Sequence, residues 1–97
     1  MEAELTQANA SVQVDNETVV VTEWRFAPGA ETGWHRHEYD YVVVPLMDGR
    51  LTFKDHDGEG ATELSAGKSY FRSAGVEHNV INATEGEFAF VEIQIKR

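Results

Sequence analysis

The chain has 97 residues, with eight Lys and Arg against seventeen Asp and Glu, for a formal net charge of −9. That length supports one hydrophobic core and leaves no room for a second. A surface this acidic, with its basic residues scattered, is poorly suited to nucleic acid or anionic membranes. There is no cysteine, so disulfides and thiolate ligands are ruled out, and any metal must be held by nitrogen and oxygen. The first ten residues carry Glu2 and Glu4 without an apolar run. No stretch approaches the ~18 apolar residues that span a bilayer, so a cytoplasmic protein is expected.

Residues 1–10 read as an N-terminal tail or edge segment, and residues 11–97 as a single barrel domain. Ser11 to Val14 is a short strand, closed by the Asp15-Asn16 turn signal. Thr18 to Ala27 is a stronger one, with Val20, Thr22, Trp24 and Phe26 on one face, until Pro28-Gly29 ends it. A strand containing His35 and His37 follows, then Val-rich Tyr41 to Met47, where Pro45 predicts an edge position or a bulge. Asp48-Gly49 signals a two-residue hairpin into Arg50 to Lys54. Residues 55–60 are a turn, and Ala61 to Leu64 returns from it. Lys68 to Arg72, Glu77 to Ala83 and Phe88 to Ile95 complete the set. In the last of these, Ala89, Val91, Ile93 and Ile95 alternate with Phe88, Phe90, Glu92 and Gln94. About eight short strands with turn signals between them, and no helical period, predict an all-β antiparallel sandwich or barrel.

The chemistry concentrates in the histidines. On an extended strand, His35 and His37 project from one face with Cα atoms about 6.5–7 Å apart, so both rings can turn to one metal ion. His78 lies in a second strand behind a Gly-rich approach. Written as spacing, the first motif is Gly29, five residues, His35-x-His37, three residues, Tyr41, with Gly49 at the next turn. The second is Gly67, five residues, Ser73-Ala74-Gly75, two residues, His78, three residues, Asn82.

Together these resemble the two motifs of the cupin superfamily, small double-stranded β-helix (jelly-roll) domains related to RmlC. Trp34-His35-Arg36-His37, Asp40-Tyr41-Val42-Val43-Val44-Pro45-Leu46 and Gly75-Val76-Glu77-His78-Asn79-Val80-Ile81-Asn82 also resemble a group of bacterial single-domain cupins. Some of that group are labelled beta-alanine degradation proteins. The resemblance implies a jelly-roll barrel and makes His35, His37 and His78 ligands to one divalent transition metal per chain. Zinc, iron, nickel, manganese and copper all suit such a site. The sequence departs from the family at its usual glutamate ligand, where it has Tyr41 and Val42, and at Ser73, where the family usually has proline. Tyr41 shares the parity of the two histidines, so its phenol is a candidate catalytic group or fourth ligand.

Plainer readings compete at each position. Tyr41 also suits a pocket wall, and His56, in an Asp- and Gly-rich turn, reads as a surface histidine. Arg36 should face away from the ligands, in a surface or interface role. Arg72 is a candidate for a substrate carboxylate, against a surface ion pair with one of the many acids. Trp24, Phe71 and Phe90 are candidate substrate-binding residues, because one small core has too many large rings. Glu92 is read as an exposed strand residue, with a pocket acid as the alternative. The expected function is binding and transformation of a small polar or carboxylate metabolite, in a homodimer that covers its edge strands. Its rival is a binding or sensing module that holds a ligand without turnover.

Overall fold

The alternation of β11 (Phe88–Ile95) sets the architecture, because this strand lies at the centre of one sheet with its aromatic side turned inward. In the computed structural model, which describes residues 6–96, every regular element among the described residues is a strand. The others are β1 (Thr6–Gln7), β2 (Asn9–Asp15), β3 (Val19–Phe26), β4 (Ala30–Glu31), β5 (His35–Arg36), β6 (Asp40–Pro45), β7 (Gly49–Asp55), β8 (Gly58–Leu64), β9 (Tyr70–Arg72) and β10 (Glu77–Ile81). One sheet runs β2-β3-β11-β6-β9. The second runs β1-β4-β10-β7-β8, with β5 beside β10. The two sheets face each other as a jelly roll and do not close into one continuous barrel. Residues 1–5 of the expected N-terminal tail lie outside the described residues, and Thr6–Gln7 pairs in parallel with Ala30–Glu31.

Phe26, Val43, Leu51, Val80, Phe88 and Phe90 fill the space between the sheets. Each fully buried large side chain contributes about 1.5–3 kcal/mol, so this apolar layer carries most of the folding free energy. Phe26 pairs with Phe88 and Trp24 with Phe90 along the β3–β11 ladder, as period-two alternation predicts. Asn82 is fully buried. Its amide donates to the Gly86 and Phe26 carbonyls at 2.8 and 3.2 Å, and its oxygen accepts from the Thr84 hydroxyl at 2.7 Å. It therefore braces the backbone where β10 leaves the site.

Of two expectations at the end of β6, one fails and one holds only locally. Asp48-Gly49 does not close a hairpin, because β6 and β7 belong to different sheets and the chain crosses between them there. Gly49 is needed at this crossing because a Cβ would lie 2.5 Å from the Phe88 ring. The true hairpin is β7–β8, whose strands run up to Asp55 and Gly58 and leave only His56 and Asp57 in the turn. Pro45 lies on a strand that is interior to the sheet, but at its own position one side is unpaired, a local edge. Its missing N–H is tolerated because β9 pairs only with Tyr41, Val42 and Val43 and stops short of it.

Candidate metal centre

The two histidine motifs meet by strand pairing. β5 runs antiparallel to β10, and His35 is the direct cross-strand partner of His78, so both side chains stand on the same face. The regular strand ends at Arg36, and His37 is held by backbone contacts instead. Its N–H donates to the Val76 carbonyl at 2.9 Å, and its carbonyl accepts from the Gly75 N–H at 2.8 Å. Gly75 adopts φ 101°, a left-handed conformation that disfavours any residue with a Cβ. Asp40 turns away from the site and accepts the Ala74 N–H at 2.8 Å, which ties the first motif to the bend of the second.

The three imidazole nitrogens converge. His37 Nε2 lies 3.0 Å from His35 Nε2 and 3.2 Å from His78 Nε2. Nitrogens bound at about 2.0–2.1 Å to one ion, with angles between 90° and 109°, are separated by about 2.9–3.4 Å. The observed spacing fits a shared ion. His35 Nδ1 lies 2.9 Å from the Gly33 carbonyl, which can only accept, so Nδ1 carries the proton and Nε2 presents its lone pair. Gly33 is itself held, since its N–H donates to the Asn79 side-chain oxygen at 2.9 Å. Burial, reinforced by the neighbouring imidazoles, pushes His37 down to about 3. Burial and then His35 push His78 down to about 4. Both rings are therefore neutral at pH 7, the form that binds metals.

The nitrogens open into a cavity of about 20 Å³, room for roughly one water-sized body. Tyr41, Trp24, Phe90 and Arg72 line it. The Tyr41 ring stacks on His37 with centroids 3.9 Å apart and planes at 18°, a packing contact that fixes the imidazole plane. Burial, and then the nearby Glu92, raise the Tyr41 hydroxyl above its ordinary range, so it stays protonated and can donate. The Arg72 guanidinium opposes these rises at Tyr41 and Tyr70 and helps lower His78, so its charge reaches the cavity. Phe71 does not line this cavity. It is 53% exposed and borders a separate groove.

Glu92 is the main correction. It is not an exposed strand residue but is 8% exposed, and it lines the cavity with its carboxylate 4.0 Å from His37 Nδ1. Burial pushes it up to about 7, against an opposing contact from Trp24. The signal was available: Glu92 is the one acid among the inward positions Phe88, Phe90, Glu92 and Gln94 of the last strand. An outer recess of about 220 Å³ joins Glu92, Trp24, Thr32, Gln94 and Arg36 to the edges of His35 and His37. Arg36 therefore borders the approach to the site. His56 is exposed at the β7–β8 turn, where it contacts Glu77 at 2.8 Å and meets the Trp34 ring edge-on, with ring centroids 5.0 Å apart.

The match to known proteins agrees with this geometry. The cupin domain profile matches residues 22–94. The beta-alanine degradation protein BauB of Pseudomonas aeruginosa is 63% identical over 90 residues, covering 93% of this chain and 95% of that protein. An oxalate-binding protein of Thermotoga maritima is 22% identical over 94 residues, covering 97% of this chain and 76% of that one. The crystal structure of a cupin domain from Bordetella pertussis superposes with a TM-score of 0.96 at 54% identity, covering 99% of this chain and 100% of that one. No helix among the described residues is long and apolar enough to cross a membrane. With the profile running from β3 to β11 across both histidine motifs, this chain belongs to the cupin domain family.

Proposed function

We propose that this chain is a metal-dependent cupin of the cytoplasm that binds and transforms a small carboxylate metabolite of beta-alanine catabolism. The observation that carries the reading is the convergence of three buried or half-buried imidazole nitrogens within one coordination radius. His35, His37 and His78 would hold one divalent transition metal, drawn from zinc, iron, nickel, manganese and copper. Such an ion, when bound, polarises an oxygen ligand or lowers the pKa of bound water. The chain's own groups do the rest. Arg72 receives the carboxylate at the cavity wall. Glu92, held near neutrality, exchanges a proton there, and the Tyr41 phenol donates a hydrogen bond. The carboxylate class is supported by the relatives named for beta-alanine degradation and oxalate binding.

Elemental analysis of protein purified without an affinity tag tests the metal. The expected result is about one transition-metal ion per chain, as one three-histidine site dictates. Protein that contains no metal and takes up neither zinc nor iron(II) in titration would end the reading. Metal-dependent turnover of a carboxylate, as against stoichiometric uptake without product, separates the enzyme from a binding module.

The reading also includes a homodimer. Cross-strand registers align Val14, Val21, Ile93, Val42 and Phe71 in one row across the outer face of the five-stranded sheet. Val14 and Phe71 are 42% and 53% exposed. Two copies carrying −9 each repel, so contact is favoured along a row without charge. Ile93→Asp is expected to convert a dimer to a monomer in analytical ultracentrifugation. A wild-type chain that sediments as a monomer at micromolar concentration would remove this part of the proposal.

A further inference from the structure

Acids outnumber bases about two to one in this chain, so basic side chains without a carboxylate partner are the unexpected ones. Among the described residues, Arg25, Arg50, Lys54 and Lys96 each pair with a carboxylate. Arg36, Lys68 and Arg72 have no ion pair among the described residues. Arg36, in the outer recess, and Arg72, in the metal cavity, border space that contains the histidines, and Lys68 borders a groove that adjoins it on the far side of Arg72.

That groove has a volume of about 440 Å³ and is bordered by residues of β7, β8, β9 and the segment joining β8 to β9. Phe53, Tyr70 and Arg72 line both the groove and the histidine cavity, so they form the partition between the two. Leu64 adds an apolar wall, and Glu63 is already tied to Arg50. The inner cavity, at about 20 Å³, has room for about one water-sized body, so only a terminal oxygen of a ligand reaches into it. The groove falls within the roughly 300–1,000 Å³ range of small-molecule sites.

We infer that the groove between β8 and β9 binds the distal anionic end of an elongated dianion. Its proximal carboxylate reaches the histidine cavity past Phe53, Tyr70 and Arg72. The middle of the ligand is apolar, to match Phe53 and Tyr70, and the far anion lies at Lys68, while Arg72 stays with the proximal carboxylate. This rests on the reading of the histidines as a metal site that takes a carboxylate. It adds the substrate class: an α,ω-dicarboxylate in preference to a monocarboxylate.

The test uses the full chain labelled with nitrogen-15, both zinc-loaded and metal-free. It is titrated with succinate, adipate and suberate and with butyrate, hexanoate and octanoate. The longer dicarboxylates are expected to bind about fivefold tighter than monocarboxylates of equal length, the contribution of one partly solvated ion pair of about 1 kcal/mol. Amide shifts should centre on Lys68, Ser69 and Tyr70. Lys68→Ala, at an exposed turn position, should erase the advantage and leave monocarboxylate binding unchanged. Equal affinities for the two series, or an advantage that survives Lys68→Ala, would overturn the groove. So would groove shifts that depend on protein concentration alone, which would assign it to a second copy. Binding that needs Lys68 but ignores zinc would keep the groove and sink the metal reading.

Discussion

His78→Ala is expected to lower zinc affinity by roughly a hundredfold or more, because it removes one of three ligands and leaves two imidazoles to hold the ion. His56→Ala should leave affinity unchanged within about twofold, since His56 is an exposed turn residue whose partners are Glu77 and Trp34 rather than the ligand nitrogens. Competition with a chromogenic chelator reads both variants against wild type. Equal losses would refute the assignment, and so would full affinity in His78→Ala. Folding is not expected to confuse the comparison. His78 is 9% exposed, but it borders the inner cavity, and the close-packed core of Phe26, Phe88 and Leu51 does not depend on it. The metal-free stability of His78→Ala should therefore stay close to that of wild type, and a circular dichroism melt checks it.

The site was legible in the sequence where chemistry follows spacing. His35-x-His37 and His78 carry their own parity, and the direct pairing of His35 with His78 completes what spacing alone leaves open. Parity also sorted the residues of β3 and β11 into two faces, because both strands are long and alternate cleanly. Local turn chemistry could not reveal the crossing at Asp48-Gly49. The same two residues close a hairpin or a sheet-to-sheet crossing, according to where β7 finds its partners. β1 and β4, two residues each, are too short to show any period.

Parity set Glu92 on the same face as Phe88 and Phe90, but its burial was hidden for a different reason. An acid at an inward position is normally solvated at a sheet edge, and nothing local says that β11 is flanked by β3 and β6. The missing family glutamate is thus partly answered by an acid from another strand, set behind His37 rather than among the converging Nε2 atoms.

That placement predicts an unusual pH dependence. Burial raises Glu92 from its ordinary 4.5 to about 7, so between those values the folded protein holds a proton that the unfolded chain has released. Stability from this group is complete below about pH 4.5 and declines as pH rises through the window to about 7. His37 and His78 act with the opposite slope. The unfolded chain protonates below 6.5 while the folded rings stay neutral down to about 3 and about 4, so stability falls as pH falls. Glu92→Gln removes the first effect and leaves the second. At 1.36 kcal/mol per pKa unit, the metal-free variant should gain about 1–3 kcal/mol over wild type at pH 8 and almost nothing at pH 4.5. Denaturant melts at the two pH values measure this difference. An equal change at both would show that Glu92 is not held protonated by its surroundings. Zinc should narrow the gap at pH 8, because a divalent ion on His37 favours the ionised carboxylate beside it. A gap unchanged by saturating zinc would mean that the charge on the histidine cluster does not reach Glu92. The carboxylate would then be structural, and its proposed exchange of a proton at the cavity would fall with it.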